Sequence, residues 1–545
     1  MRSRLLLLLL SAYGFFAMEA LCRQAADPSQ LRGNGYTVAG TVLQRISKQP
    51  LKHVQVSLTS VEHRNRQLFY VTPDTGQFAF SGLAPGKYSL AAQLHGFTQA
   101  FRGNEDYSTA IVVGPTLDSE HITFFLDAPA AISGSVVDEQ GEPVRDAQVL
   151  LLHRGIFSGR ARTVMETQAG SDSSGRFHFG HLRPGTYFVA VTARPWYAPN
   201  SPVQVPPGNS GKDGNTAELD LAYPVTYYPD AVDPASASPI TLRQAGAAEL
   251  AITLRAVPAL RVEVNAPPQQ NINFGISAVG PGDVLLPINA VQFADENRRG
   301  LLGLAPGHYV LALQRFDPRS GSLRSSGTKT IDLTSNSTLD VNDLPNTTVS
   351  GKVRVEGAER PNGLGVWLVN ANSGQATGAS TAGDGSFEVE QGSISPGQYQ
   401  VRLGNTPELY IKSIAVQGAD YSNGTLVVAE RASVQMSIVA AKGLTRVNGI
   451  AIKDGKPFAG AMVLLLPQGA NQGGYIPRDQ TDSDGTFTLN FASPGRYALI
   501  AIDNGRNLAY RDAAVVKPYL EQAQIIEVPL QRDADVKATV QHRRP

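Results

Sequence analysis

Apolar and polar residues alternate with a period of two along most of the chain. Tyr88, Leu90 and Ala92 share one face of a strand, as do Tyr187, Val189 and Val191, and Tyr309, Leu311 and Leu313. Such alternation marks a half-buried strand. No segment sustains a 3.6-residue apolar period, and Pro or Gly interrupts most candidate helices. Short strands bounded by turn signals every ~8–12 residues predict an all-β chain built from antiparallel sandwiches.

One signature recurs five times. It reads Pro85-Gly86-Lys87-Tyr88, Pro184-Gly185-Thr186-Tyr187, Pro306-Gly307-His308-Tyr309, Pro396-Gly397-Gln398-Tyr399 and Pro494-Gly495-Arg496-Tyr497. The spacings of 99, 122, 90 and 98 residues are those of domains, too long for a solenoid. Pro fixes φ and Gly accepts a positive φ, which predicts a type II turn. The Tyr opens the next strand as a core anchor whose hydroxyl reaches a backbone partner, like the tyrosine corner of sandwiches.

Two further elements precede each turn. Asp74 to Phe78, Asp172 to Phe177, Asp384 to Phe387 and Asp482 to Phe487 read as Asp/Gly turns entering an aromatic strand. Upstream, Val38-Ala39-Gly40, Ile132-Ser133-Gly134, Val349-Ser350-Gly351 and Val447-Asn448-Gly449 open four of the copies, 45, 50, 45 and 45 residues before the signature Pro. The third copy departs: its opening strand Leu260–Val264 lacks the Gly, and its turn shortens to Asp295 through Gly300. The expected division is 35–128, 129–257, 258–345, 346–441 and 442–540, with short linkers and an aromatic, Pro-rich insert at 195–239.

Apolar-x-Gly, a Pro-led second strand (Pro143 to Val149), Asp-x-x-Gly-x-Phe and Pro-Gly-x-Tyr together resemble the carboxypeptidase regulatory-like domain. The resemblance implies a transthyretin-like fold, grouped with the carbohydrate-binding-like folds. The fold class expected is therefore five tandem antiparallel Greek-key β-sandwiches, transthyretin-like or Ig-like. It also implies a non-catalytic accessory module of about seven strands, found in tandem in secreted or surface proteins of bacteria.

Charge adds mainly exclusions. Lys plus Arg number 47 and Asp plus Glu 47, so the balanced chain carries no electrostatic footprint for nucleic acid. Cys22 is the one cysteine, which excludes an internal disulfide framework and a Cys-based zinc site. Arg2 and Arg4, the apolar run Leu5 to Met18 and Ala20-Leu21-Cys22 read as a signal peptide over 1–22. Lipidation at Cys22 is the alternative. The mature chain is then expected in the periplasm, at the cell surface or outside, without a membrane span.

The search for chemistry is mostly negative. No His is followed by x-x-Glu, and neither a Gly-x-Ser-x-Gly elbow nor a phosphate-binding Gly-Lys-Ser/Thr loop occurs. His178 and His181 lack further ligands, and Asp482-Ser483-Asp484-Gly485 lacks the Glu that closes a calcium loop. No catalytic residue, metal or cofactor is expected. The candidate binding surface is aromatic: Trp196 and Tyr197 at the start of the insert, Tyr223, Tyr227 and Tyr228 near its end. Rings on Pro-rich backbone can stack on sugar faces at low entropic cost, or staple the insert to its own sandwich. The function expected is a non-catalytic binding protein for carbohydrate or a cell-surface polymer. The alternatives are a stalk or scaffold contacting proteins and, third, an accessory subunit of a secreted peptidase.

Overall fold

The computed structural model describes residues 35–63, 67–97, 100–101, 109–198, 221–265, 271–288, 290–294, 299–316, 323–340, 347–357, 363–389, 394–404, 408–422, 424–468 and 475–544. The expected signal peptide with Cys22, residues 199–220 of the insert and residues 295–298 of the shortened turn lie outside them. The chain divides into two units, Met1–Asp127 with Asp482–Asp484, and Ala128–Thr481 with Gly485–Pro545.

In the first unit one sheet runs in the order Gln77–Leu83, Tyr36–Gln44, Ile122–Leu126, and a second is built around Gln55–Ser60 and Gly86–Gln93. Their inner faces meet in a core that includes Val38, Val56, Phe78, Tyr88 and Leu90. The same plan recurs in the repeats of the second unit, except that in the fifth the two sheets are joined into one of eight strands through Gly495–Ile502 and Ala534–Gln541. In every repeat the opening strand pairs in parallel with the closing strand, and in the fifth the closing strand also meets Gly495–Ile502 in parallel; the remaining pairings are antiparallel. Tyr36–Gln44 pairs in parallel with Ile122–Leu126, Ala130–Val137 with Ala247–Thr253, and Leu260–Asn265 with Ser337–Asp340. Thr348–Val355 pairs likewise with Ser433–Lys442, and Thr445–Lys453 with Ala534–Gln541. A parallel neighbour needs a long crossover, and here the rest of the repeat is that crossover.

The opening glycine and the aromatic of the Asp/Gly turn are cross-strand partners. Gly40 pairs with Phe78, Gly134 with Phe177, Gly351 with Phe387 and Gly449 with Phe487. The third repeat keeps the arrangement with the glycine one strand over. There Gly300 sits between Glu263 of the opening strand and Phe293 of the neighbour on its other side.

The signature tyrosines all make one bond. Tyr88, Tyr187, Tyr309, Tyr399 and Tyr497 donate to the carbonyls of Ala84, Arg183, Ala305, Ser395 and Ser493, at 2.7–2.9 Å. Each acceptor directly precedes the signature Pro, so the hydroxyl closes the corner. The predicted type II turn is corrected. Gly86, Gly397 and Gly495 have φ of 152°, 154° and 144°, far from the +80° such a turn requires. In all five copies the glycine is already the first residue of the following strand, so the chain bends at Pro without a turn.

The second unit also buries sheet faces that simple alternation leaves to solvent. On Gln148–Phe157, Val149 and Leu151 face the core of the second repeat, while Leu150 and Leu152 join a cluster with Val262, Phe274, Leu311 and Leu313 of the third. In the fifth repeat Met462, Leu464, Ile500 and Ile502 pack under a helix, Ala513–Leu520, through its Val516 and Tyr519. The helix is missing from the pattern reading because eight residues span barely two turns. Asp512 caps it, its side chain accepting from the Ala514 N–H at 2.9 Å.

Candidate binding surface

The insert of the second repeat begins with a turn, Pro195 to Ala198, closed by the Ala198 N–H donating to the Pro195 carbonyl at 3.0 Å. Its two central residues are Trp196 and Tyr197. Pro195 and Ala198 are buried, which anchors both ends of the turn. Trp196 is 83% exposed, and its ring meets that of Tyr197 edge to face with centroids 5.5 Å apart. Tyr197 is half-buried and hydrogen-bonded to Tyr223. The indole is thus presented on fixed backbone with a braced neighbour.

The structure does not bring the other predicted rings to this surface. Tyr223 lies in the core of the second repeat, and burial, more than its contacts with Tyr197 and Glu139, pushes its hydroxyl well above the ordinary range. Tyr227 is 1% exposed and wedged between the second and third repeats, its hydroxyl 3.4 Å from the Val279 carbonyl. Tyr228 packs half-buried against the second core. These three rings staple the end of the insert to its framework, because apolar surface at hand buries large aromatics. An accessible pair, Trp196 and Tyr197, is left of the predicted five.

Other candidates resolve locally. His178 is exposed, its Nδ1 2.9 Å from the Ser133 hydroxyl, and His181 occupies a left-handed position at φ 58°. No group of three or more His, Cys, Asp or Glu is placed to hold a metal ion among the described residues. Trp367 is 39% exposed on an outer sheet face, and its indole covers Gly365, Gly378 and Gly404. No helix among the described residues is long and apolar enough to cross a membrane.

A second aromatic group, Tyr410, Tyr475 and Phe491, escaped the sequence reading because its members come from separate strands and loops of two repeats. One signal was available: Phe491 occupies the position that Gly82 and Gly303 hold in other repeats.

No curated protein matches the chain in sequence. Among solved structures it is similar to the minor pilin of the Gram-positive pathogen Streptococcus agalactiae, at 13% identity over 41% of this chain and 97% of that one, with a TM-score of 0.22. It is similar also to the shaft pilin SpaA of Lactobacillus rhamnosus GG, at 12% identity over 41% and 98%, with a TM-score of 0.19. Superpositions of this quality carry no functional information. The family signal lies in the sequence itself: residues 37–115 and 131–220 match the carboxypeptidase regulatory-like domain, in agreement with the resemblance carried by their glycine, aspartate and tyrosine motifs.

Proposed function

We propose that the chain is an exported, non-catalytic binding protein, divided at the repeat boundaries given above, that holds a carbohydrate or cell-surface polymer through Trp196 and Tyr197. The exposed indole at the head of an anchored turn carries this reading. A flat exposed ring set at an angle to a second one suits the apolar face of a pyranose.

A glycan screen with the purified chain and its Trp196→Ala variant tests the reading. Binding by the parent that the variant loses, at unchanged melting temperature, supports it. Absence of binding at millimolar ligand overturns it in favour of a scaffold. That second reading is favoured by one observation, the hydrophobic cluster shared by the second and third repeats, which joins them as a single packed body.

A further inference from the structure

Three residues before the signature Pro, the aromatic strand bulges into left-handed backbone. Gly82 and Gly303, both at φ 73°, fill this position in the first and third repeats, His181 in the second and Phe491, at φ 60°, in the fifth. In the fifth repeat the pairing skips from Thr445–Ala492 to Val447–Leu489, so Asn490 and Phe491 oppose the single residue Arg446. Glycine adopts this conformation freely, whereas a bulky side chain is strained there. Phe491 is 50% exposed, so burial repays that strain only in part. Bulges re-aim side chains, and this one aims a ring.

The ring points along a cleft of about 300 Å³ where the fourth and fifth repeats meet, at the small end of the ~300–1,000 Å³ range of ligand sites. Phe491 meets Tyr475 edge to face at 6.4 Å, and Tyr475 is itself 45% exposed. Tyr410 and Tyr497 add aromatic wall, and Arg402 supplies the charge. The Arg402 guanidinium donates through Nη2 to Gln400 Oε1 at 3.1 Å, while its buried Nε has no hydrogen-bond partner. Among the described lining residues there is no carboxylate to match it. A buried donor on a charged group left unmade is unfavourable, and an incoming carboxylate would satisfy it with a charge-assisted bond.

We infer that this cleft binds a carboxylated sugar, a uronic acid residue of an acidic polysaccharide, with the ring faces against Phe491, Tyr475 and Tyr410 and the carboxylate on Arg402. The site shares no residue with the Trp196 turn, so it stands or falls separately from the reading above.

Calorimetric titration of the full chain with a galacturonic acid tetramer and a neutral galactose tetramer at low salt tests it. The acidic tetramer binds, and the neutral one binds at least about tenfold more weakly. Arg402→Gln brings the acidic tetramer down to the neutral level. Phe491→Gly removes binding while the melting temperature stays within a few degrees, because glycine relieves the left-handed strain. The same titrations in a Trp196→Ala background keep binding at the turn out of the comparison, and the effects of Arg402→Gln and Phe491→Gly persist there. The inference is overturned if the acidic tetramer does not bind, if both tetramers bind equally, or if an aspartate-rich peptide competes as well as the sugar. It fails too if Phe491→Gly lowers the melting temperature steeply with uronate binding intact, which makes the ring a packing element.

Discussion

Gly134 and Phe177 occupy a single side chain's worth of space on two paired strands. A Cβ built on Gly134 would lie 2.7 Å from Phe177 Cζ and 2.4 Å from the Leu250 carbonyl oxygen of the parallel closing strand. The aromatic ring fills the place the glycine leaves vacant, and the bare backbone lets the closing strand come near. Fold motif and sandwich closure are therefore one interaction.

Gly134→Ala should destabilise the second repeat by ~1–3 kcal/mol, since the clash is with backbone and a fixed ring. Gly40→Ala should behave alike, its added Cβ lying 2.0 Å from the Ile122 carbonyl oxygen. Urea midpoints of the variants and the parent measure both, and a shift within error would refute the pairing as the cause.

In the third repeat the sensitive glycine is displaced. A Cβ at Gly300 would come within 2.1 Å of the Val262 carbonyl oxygen and 2.9 Å of the Phe293 ring. Gly300→Ala is expected to cost as much as Gly134→Ala, about 1–3 kcal/mol. An alanine tolerated there would show that this repeat closes by other means.

Removing a signature hydroxyl should cost ~0.5–1.5 kcal/mol, the net worth of one hydrogen bond. Tyr187→Phe loses the bond to the Arg183 carbonyl and Tyr309→Phe that to the Ala305 carbonyl. Burial pushes these hydroxyls up, each to about 12. Spectrophotometric titration of the parent should show tyrosines ionising above the ordinary range, with those two components absent from the variants.

Asp503 ties the end of the chain to the fifth repeat. Burial pushes its carboxyl up, but Lys453 Nζ at 2.5 Å, His542 Nδ1 at 2.9 Å and the Arg543 N–H at 2.8 Å outweigh this and hold it below the usual carboxylate range. A depressed folded pKa contributes stability above the unfolded value of about 3.9 and loses it as pH falls through the folded one. Asp503→Asn should be less stable than the parent at pH 7, and the gap should close as pH drops below about 4. Urea unfolding across that range measures it. A gap independent of pH would assign the loss to packing instead.

The domain type of the first two repeats, the strand faces and the positions of the tyrosine corners were legible in the linear pattern. They depend on period-two alternation and on backbone chemistry local to Pro, Gly and Asp. How the glycine and phenylalanine motifs relate was not legible, since cross-strand register places Gly134 beside Phe177. The consecutive apolar run Val149 to Leu152 carried a legible hint of two buried faces, yet the partner of the outer face came from another repeat. Among the candidate rings, local sequence treated Trp196, Tyr223 and Tyr227 alike. Long-range packing separated them, burying the rings that had a core within reach and leaving Trp196 in water. Contacts between residues far apart along the chain make that choice, and a periodic pattern does not encode them.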